Sequence, residues 1–161
     1  MSSTDDTPTR PEPSERRAVS AQFDALADES RRVVLSLLRD RPGGVPTSEL
    51  ATLVASVEAG VPIRRVTDEQ FERVRMELRH RHLPKLATTG LLTRSDDEIV
   101  ATDSIRSPVV RTALDLDADP RDTDTTLDLF ASPRRRTVIE RLRREGRCSV
   151  RDLAATVSVA V

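Results

Sequence analysis

The stretch FERVRMELRHRHLPKLATTGLL, Phe71–Leu92, carries a helix-period apolar pattern through a proline and stops at a glycine followed by two leucines. Phe71, Val74, Leu78 and Leu86 fall on one side of a helix, with His82 a further candidate, so that side is expected to face a core. Arg73, Arg75, Arg79, Arg81 and Lys85 project elsewhere. From Arg73 to Lys85 these five basic residues meet only Glu77, a local net charge of +4 before either histidine is counted. Thr67 and Gln70 form a T-x-x-Q capping box at the start, and Asp68 and Glu69 place negative charge on the positive end of the helix dipole. Gly90 can take the left-handed conformation that ends the helix, after which Leu91 and Leu92 begin an extended segment. Pro84 lies inside the helix, removes a backbone donor and is expected to kink it.

Two more helices precede this one. In FDALADESRRVVLSLLRDRPGG, Val34, Leu35, Leu37 and Leu38 follow helical spacing, with Asp28 as the expected N-cap, Pro42-Gly43-Gly44 as the stop, and Phe23 and Leu26 in a short helical lead-in. In VPTSELATLVASVEAG, Leu50, Leu53, Val54 and Val57 form the stripe, Thr47 is the expected cap and Gly60 the end. The spacer VPIRRV then leads to the third helix. Beyond Gly90, LLTRSDDEIVATD reads as a β-hairpin turning at Ser95-Asp96-Asp97. Ser107-Pro108 suits an N-cap and first helical position ahead of VVRTALDL. The acidic, proline-containing DLDADPRDTDTT that follows is expected to be a linker and domain boundary.

After that linker the chain repeats its beginning. Ala27, Arg31, Arg32, Val34, Leu35 and Leu38 fall on Ala131, Arg135, Arg136, Val138, Ile139 and Leu142 at a constant offset of 104, and Asp28 falls on Ser132. After a one-residue gap, Glu49-Leu50-Ala51 meets Asp152-Leu153-Ala154. The second copy stops at Val161, before any counterpart of the third helix, and its stripe is narrower because Arg141 stands where Leu37 was. It is therefore expected to dock on the first module or to pair between chains. The expected layout is a disordered polar tail at 1–20, a module at 21–106, a short helix and acidic linker at 107–126, and an incomplete second repeat of two helices at 127–161. The fold class is mainly α with a small β-hairpin (α+β).

Composition narrows the function. Hydrophobic residues make up 37% and charged residues 33%, with three Phe and no Trp or Tyr, so aliphatic side chains must fill the core and an aromatic platform for single-stranded bases is missing. The net charge of −1 conceals local segregation, and Lys85 is the only lysine. A lone Cys148 cannot form an intramolecular disulfide and offers no paired thiolate site. No stretch approaches 18 apolar residues and the N-terminus has no apolar core, so neither a membrane span nor a signal peptide is expected; the default location is cytoplasmic. His80 and His82, two apart on a helix, point to different sides and cannot readily share a metal. No H-E-x-x-H, Gly-rich phosphate loop or Cys–His arrangement is present, so neither enzyme activity nor a cofactor is expected.

Helix, helix, helix and hairpin is the order of a winged helix-turn-helix. ALADESRRVVLSLL resembles the first helix of ArsR-like regulators, and RHLPKLATTGLL resembles their H-L-x-x-L-x-x-x-G-L recognition-helix end, here His82, Leu83, Leu86, Gly90 and Leu91. RVRMELRHRHLPKL together with a second copy of the module resembles a poorly characterised winged-helix group common in halophilic archaea. The resemblance spans roughly 21–105 and implies a transcriptional regulator that binds double-stranded DNA with helix 67–89. Arg73, Arg75, Arg79, Arg81, Lys85 and, at the start of the wing, Arg94 are the expected DNA contacts, since arginine bonds phosphates or the guanine edge in a major groove that admits a helix. A homodimer is expected because one small module contacts few phosphates. No small-molecule effector is evident. Basic runs on helices are more often solvated faces, so the alternative is a winged-helix module for protein interaction or dimerisation. Charge geometry separates the two: a continuous arginine patch for DNA, a patch interrupted by Glu72 and Glu77 for the alternative.

Overall fold

The computed structural model describes residues 13–115 and 120–159. Its first helix, α1 (Pro13–Leu26), covers the last part of the stretch expected to be a disordered tail. The tail reading holds for nothing beyond residue 12, and 1–12 lie outside the described residues. The helix forms there because its C-terminal end carries Ala25 and Leu26, both fully buried, and burial of an apolar face is what stabilises a short helix.

Helix α2 (Glu29–Arg39) starts at Asp28, whose carboxylate accepts the Arg31 N–H at 3.1 Å. Helix α3 (Thr47–Ala59) ends at Gly60 with φ 61, where Val61 N–H bonds Ser56 O and Gly60 N–H bonds Val57 O. Only a residue without Cβ takes that φ cheaply. Thr47 is not the cap that the sequence implied. It is the first helical residue, and its backbone N–H and hydroxyl both donate to Asp97 O, at 2.9 and 3.1 Å.

A 3-10 turn, Ile63–Arg65, leads to α4 (Asp68–Glu77), which opens on the expected reciprocal Thr67–Gln70 capping box. The third helix is then not continuous. A π-helical turn spans Leu78–His82, and α5 (Leu83–Thr88) completes the segment with Pro84 in its first turn. In an unbroken α-helix the Pro84 ring would press on the carbonyl four residues back and leave a carbonyl unbonded. The wider turn relieves this, and Leu83 N–H reaches back to Leu78 O. One consequence is that Leu83 joins Val74, Leu78 and Leu86 in the core.

Gly90, at φ 72, ends α5; Leu91 N–H bonds Leu86 O and Gly90 N–H bonds Ala87 O. Strands β2 (Leu92–Ser95) and β3 (Glu98–Ala101) form the hairpin, with Asp96 at φ 49 in its two-residue turn. A strand of two residues, β1 (Val45–Pro46), pairs antiparallel with β3 and places Val45 opposite Ile99. Sheet order is β1-β3-β2. The protein is thus mainly helical with a small three-stranded antiparallel sheet. One core joins Leu26, Val34, Leu35, Leu38, Leu50, Val54, Leu78, Leu86, Leu91, Leu92 and Ile99.

Helix α6 (Pro108–Leu114) begins at the Ser107 cap. The acidic stretch expected as a linker is helical from Pro120 onward, as the start of α7 (Pro120–Ala131); its residues 116–119 lie outside the described ones. Nor does a boundary between cores fall there, because α7 lies along α1 and its Leu127 is buried in the first module's core. The second copy continues as α8 (Pro133–Glu145), capped by Ser132, and α9 (Val150–Val159). The second copy therefore docks on the first module through α7, one of its two expected arrangements. Its own stripe stays less covered: among described residues α8 buries none, Leu142 is exposed, and Val150 is 84% exposed.

Candidate nucleic-acid interface

The core-facing and solvent-facing sides of α4–α5 sort as the periodicity requires. Val74, Leu78 and Leu86 are buried, Phe71 packs at the core edge, and Arg73, Arg79 and Arg81 are exposed, Arg81 by 71% of its side chain. Arg75 and Lys85 are partly exposed.

The charge pattern is different from the one read along the chain. Arg73 lies 3.6 Å from both Glu58 of α3 and Glu77 one turn on. Arg75 pairs with Glu72 through two N–H groups, the closer at 2.7 Å. Arg81 lies 3.6 Å from Asp28, and Lys85 pairs with Asp24 of α1. Four of the five basic side chains of this segment, Arg73, Arg75, Arg81 and Lys85, thus meet five carboxylates: Glu72 and Glu77 on α4, with Asp24, Asp28 and Glu58 from three other elements. Glu72 and Glu77 interrupt the patch. Of the five, Arg79 alone makes no ion pair among the described residues.

The structure brings Arg94 onto β2, opposite Ile99, with Asp96, Asp97 and Glu98 exposed beside it at the hairpin tip. Two basic residues absent from the expected set, Arg64 and Arg65, stand exposed in the 3-10 turn just before α4 and make no ion pair among the described residues. Their place in the spacer VPIRRV marked them as connector, and only their basicity could have singled them out.

Asp28 is the hub that links this segment to the core. Beyond capping α2, it sits 3.4 Å from Arg31, 3.6 Å from Arg81 and 3.6 Å from His82 Nδ1. His82 is 3% exposed, and its Nδ1 has no hydrogen-bond partner but faces this carboxylate. Burial pushes the imidazole below its ordinary pKa; Asp28 opposes that shift, while Arg31 and Arg81 reinforce it. Arg31 and Arg32 have a structural role. Both are buried, Arg31 donating to Ala25 O and Asp24 O and Arg32 to Leu26 O, so they satisfy the end carbonyls of α1.

Among the described residues no group of three His, Cys, Asp or Glu side chains is placed to hold a metal ion, and no helix is long and apolar enough to cross a membrane. A family model described as "Domain of unknown function (DUF7344)" matches residues 23–102, 80 of the 161 residues. The match runs from the end of α1 to the end of the hairpin and leaves out the second copy. No curated protein and no solved structure matches the chain.

Proposed function

We propose that residues 21–106 form a winged helix-turn-helix that binds double-stranded DNA, with α4–α5 entering the major groove, the hairpin as wing, and transcriptional regulation as the role. The observation that carries this reading is the exposure of Arg73, Arg79 and Arg81 on one amphipathic segment between the spacer arginines Arg64 and Arg65 and the hairpin. The ion pairs on that segment do not bar the way. Exposed pairs are worth about 0–1 kcal/mol, so a phosphate can replace Glu72 at Arg75 or Glu77 at Arg73 at little cost. Arg79, already free of a carboxylate, would be the first contact.

A second reading has its own observation. Glu72 and Glu77 break the arginine patch, as expected of a module that meets a protein instead of DNA. The double substitution Glu72→Gln/Glu77→Gln separates the two. A DNA-binding segment should gain duplex affinity, by up to about fivefold per carboxylate removed if each pair is worth about 1 kcal/mol. A protein-binding segment should gain none.

A further inference from the structure

The contact between α1 and α7 maps onto itself when the two copies are exchanged. Arg32 donates to Leu26 O of its own copy and to the Asp124 carboxylate of the other. Arg136, 104 positions later, donates to Phe130 O of its own copy and, at 2.8 Å, to Ser20 Oγ of the other. Leu26 and Phe130 are 104 apart, and so are Ser20 and Asp124. Between these polar ends the Phe23 ring stacks on Phe130 at 5.5 Å, and the counterpart residues Leu127 and Leu26 are both buried. A surface in which residue i of one copy meets j of the other, and j meets i, is the mark of a two-fold, self-complementary interface.

We propose that the face of α1 under α7 is a self-recognising surface whose partner is a second copy of the same element. α7 supplies that copy from within the chain, and a second chain's α1 takes the surface when α7 is displaced. The fit is already visible in the side chains. A second α1 would offer Ser20 to Arg32, the same contact that Ser20 makes with Arg136 here. It would also set Phe23 of each chain beside Leu26 of the other, in place of the Phe23–Phe130 stack and the buried Leu26 and Leu127, which conserves the volume between the helices. The tethered α7 outcompetes a second chain for two reasons: Asp124 gives Arg32 an ion pair where Ser20 would give a neutral acceptor, and its attachment gives it a high effective concentration. With this face occupied from within the chain, the homodimer expected from the sequence does not form through it, and the full chain should be a monomer.

Sedimentation equilibrium of the full chain tests this. The wild type should run at its monomer mass of 17.9 kDa. The full-length variant Leu127→Asp/Arg136→Ala, disabled only on the second copy, should run at twice that mass, and adding Phe23→Ala should return it to a monomer. A Leu127→Asp/Arg136→Ala chain that stays monomeric with its cooperative melt intact overturns the proposal. Should that variant lose its melt, the exchange Ser20→Asp/Asp124→Ser decides. Equivalent positions require the exchanged chain to melt with the wild type; a melting temperature as low as that of Ser20→Ala/Asp124→Ala overturns it.

Discussion

The Nδ1 of His82 lies 3.6 Å from Oδ1 of Asp28, so the residue that caps α2 also faces the π-helical turn of the candidate recognition segment. Because burial holds the folded-state pKa of His82 below its ordinary 6.5, the unfolded chain binds more protons than the folded one between the two values. Stability is therefore full above about pH 6.5 and falls as the pH drops through the window below it. Melts between pH 7.5 and 5 should show a declining transition temperature, and His82→Gln should flatten that decline. An unchanged pH profile in His82→Gln would remove this histidine from the account.

The two sides of the π-helical turn make opposite demands on substitution. Leu78 is fully buried, and Leu78→Ala should cost about 2–5 kcal/mol of stability. Arg79 is exposed without an ion pair among the described residues, so Arg79→Ala should leave the melt nearly unchanged while weakening duplex binding. Chemical denaturation of both variants, alongside a binding titration, checks the assignment. Destabilisation by Arg79→Ala with binding spared would reverse it.

Arg32 is expected to behave as a structural residue. Its guanidinium satisfies Leu26 O and meets Asp124, and removal leaves a buried carbonyl and a carboxylate without that partner. Arg32→Ala should cost about 1.5–3 kcal/mol, the range of a hydrogen bond to a charged group. Denaturant melts read this directly, and a loss below about 0.5 kcal/mol, the level of an ordinary surface change, would show that the buried arginine contributes little.

Most helix positions and caps, Thr47 and the start of α1 excepted, were legible because the determinants are local. Asp28, the Thr67–Gln70 box, Gly60, Gly90 and Ser132 each act within a few residues of where they stand. The π-helical turn was partly legible, since Pro84 announced a disruption but not its form. Strand β1 was not, because Val45–Pro46 is too short for any periodicity and exists through pairing with β3. Helix α7 was hidden by its acidic composition, and only the packing of Leu127 against the first core makes it part of the fold. The candidate site suffered most from reading along one segment. A local charge of +4 was correct as a count, yet Asp24, Asp28 and Glu58 arrive from elements remote in sequence and offset it.

DNA binding by α4–α5 requires phosphates to displace those carboxylates, and a salt titration of the full chain against duplex DNA measures whether they do. With about four phosphates neutralised, the logarithm of the binding constant should fall against the logarithm of salt concentration with a slope near −3.6, at about −0.9 per phosphate. No measurable binding at the lowest ionic strength, or binding indifferent to salt, would contradict it.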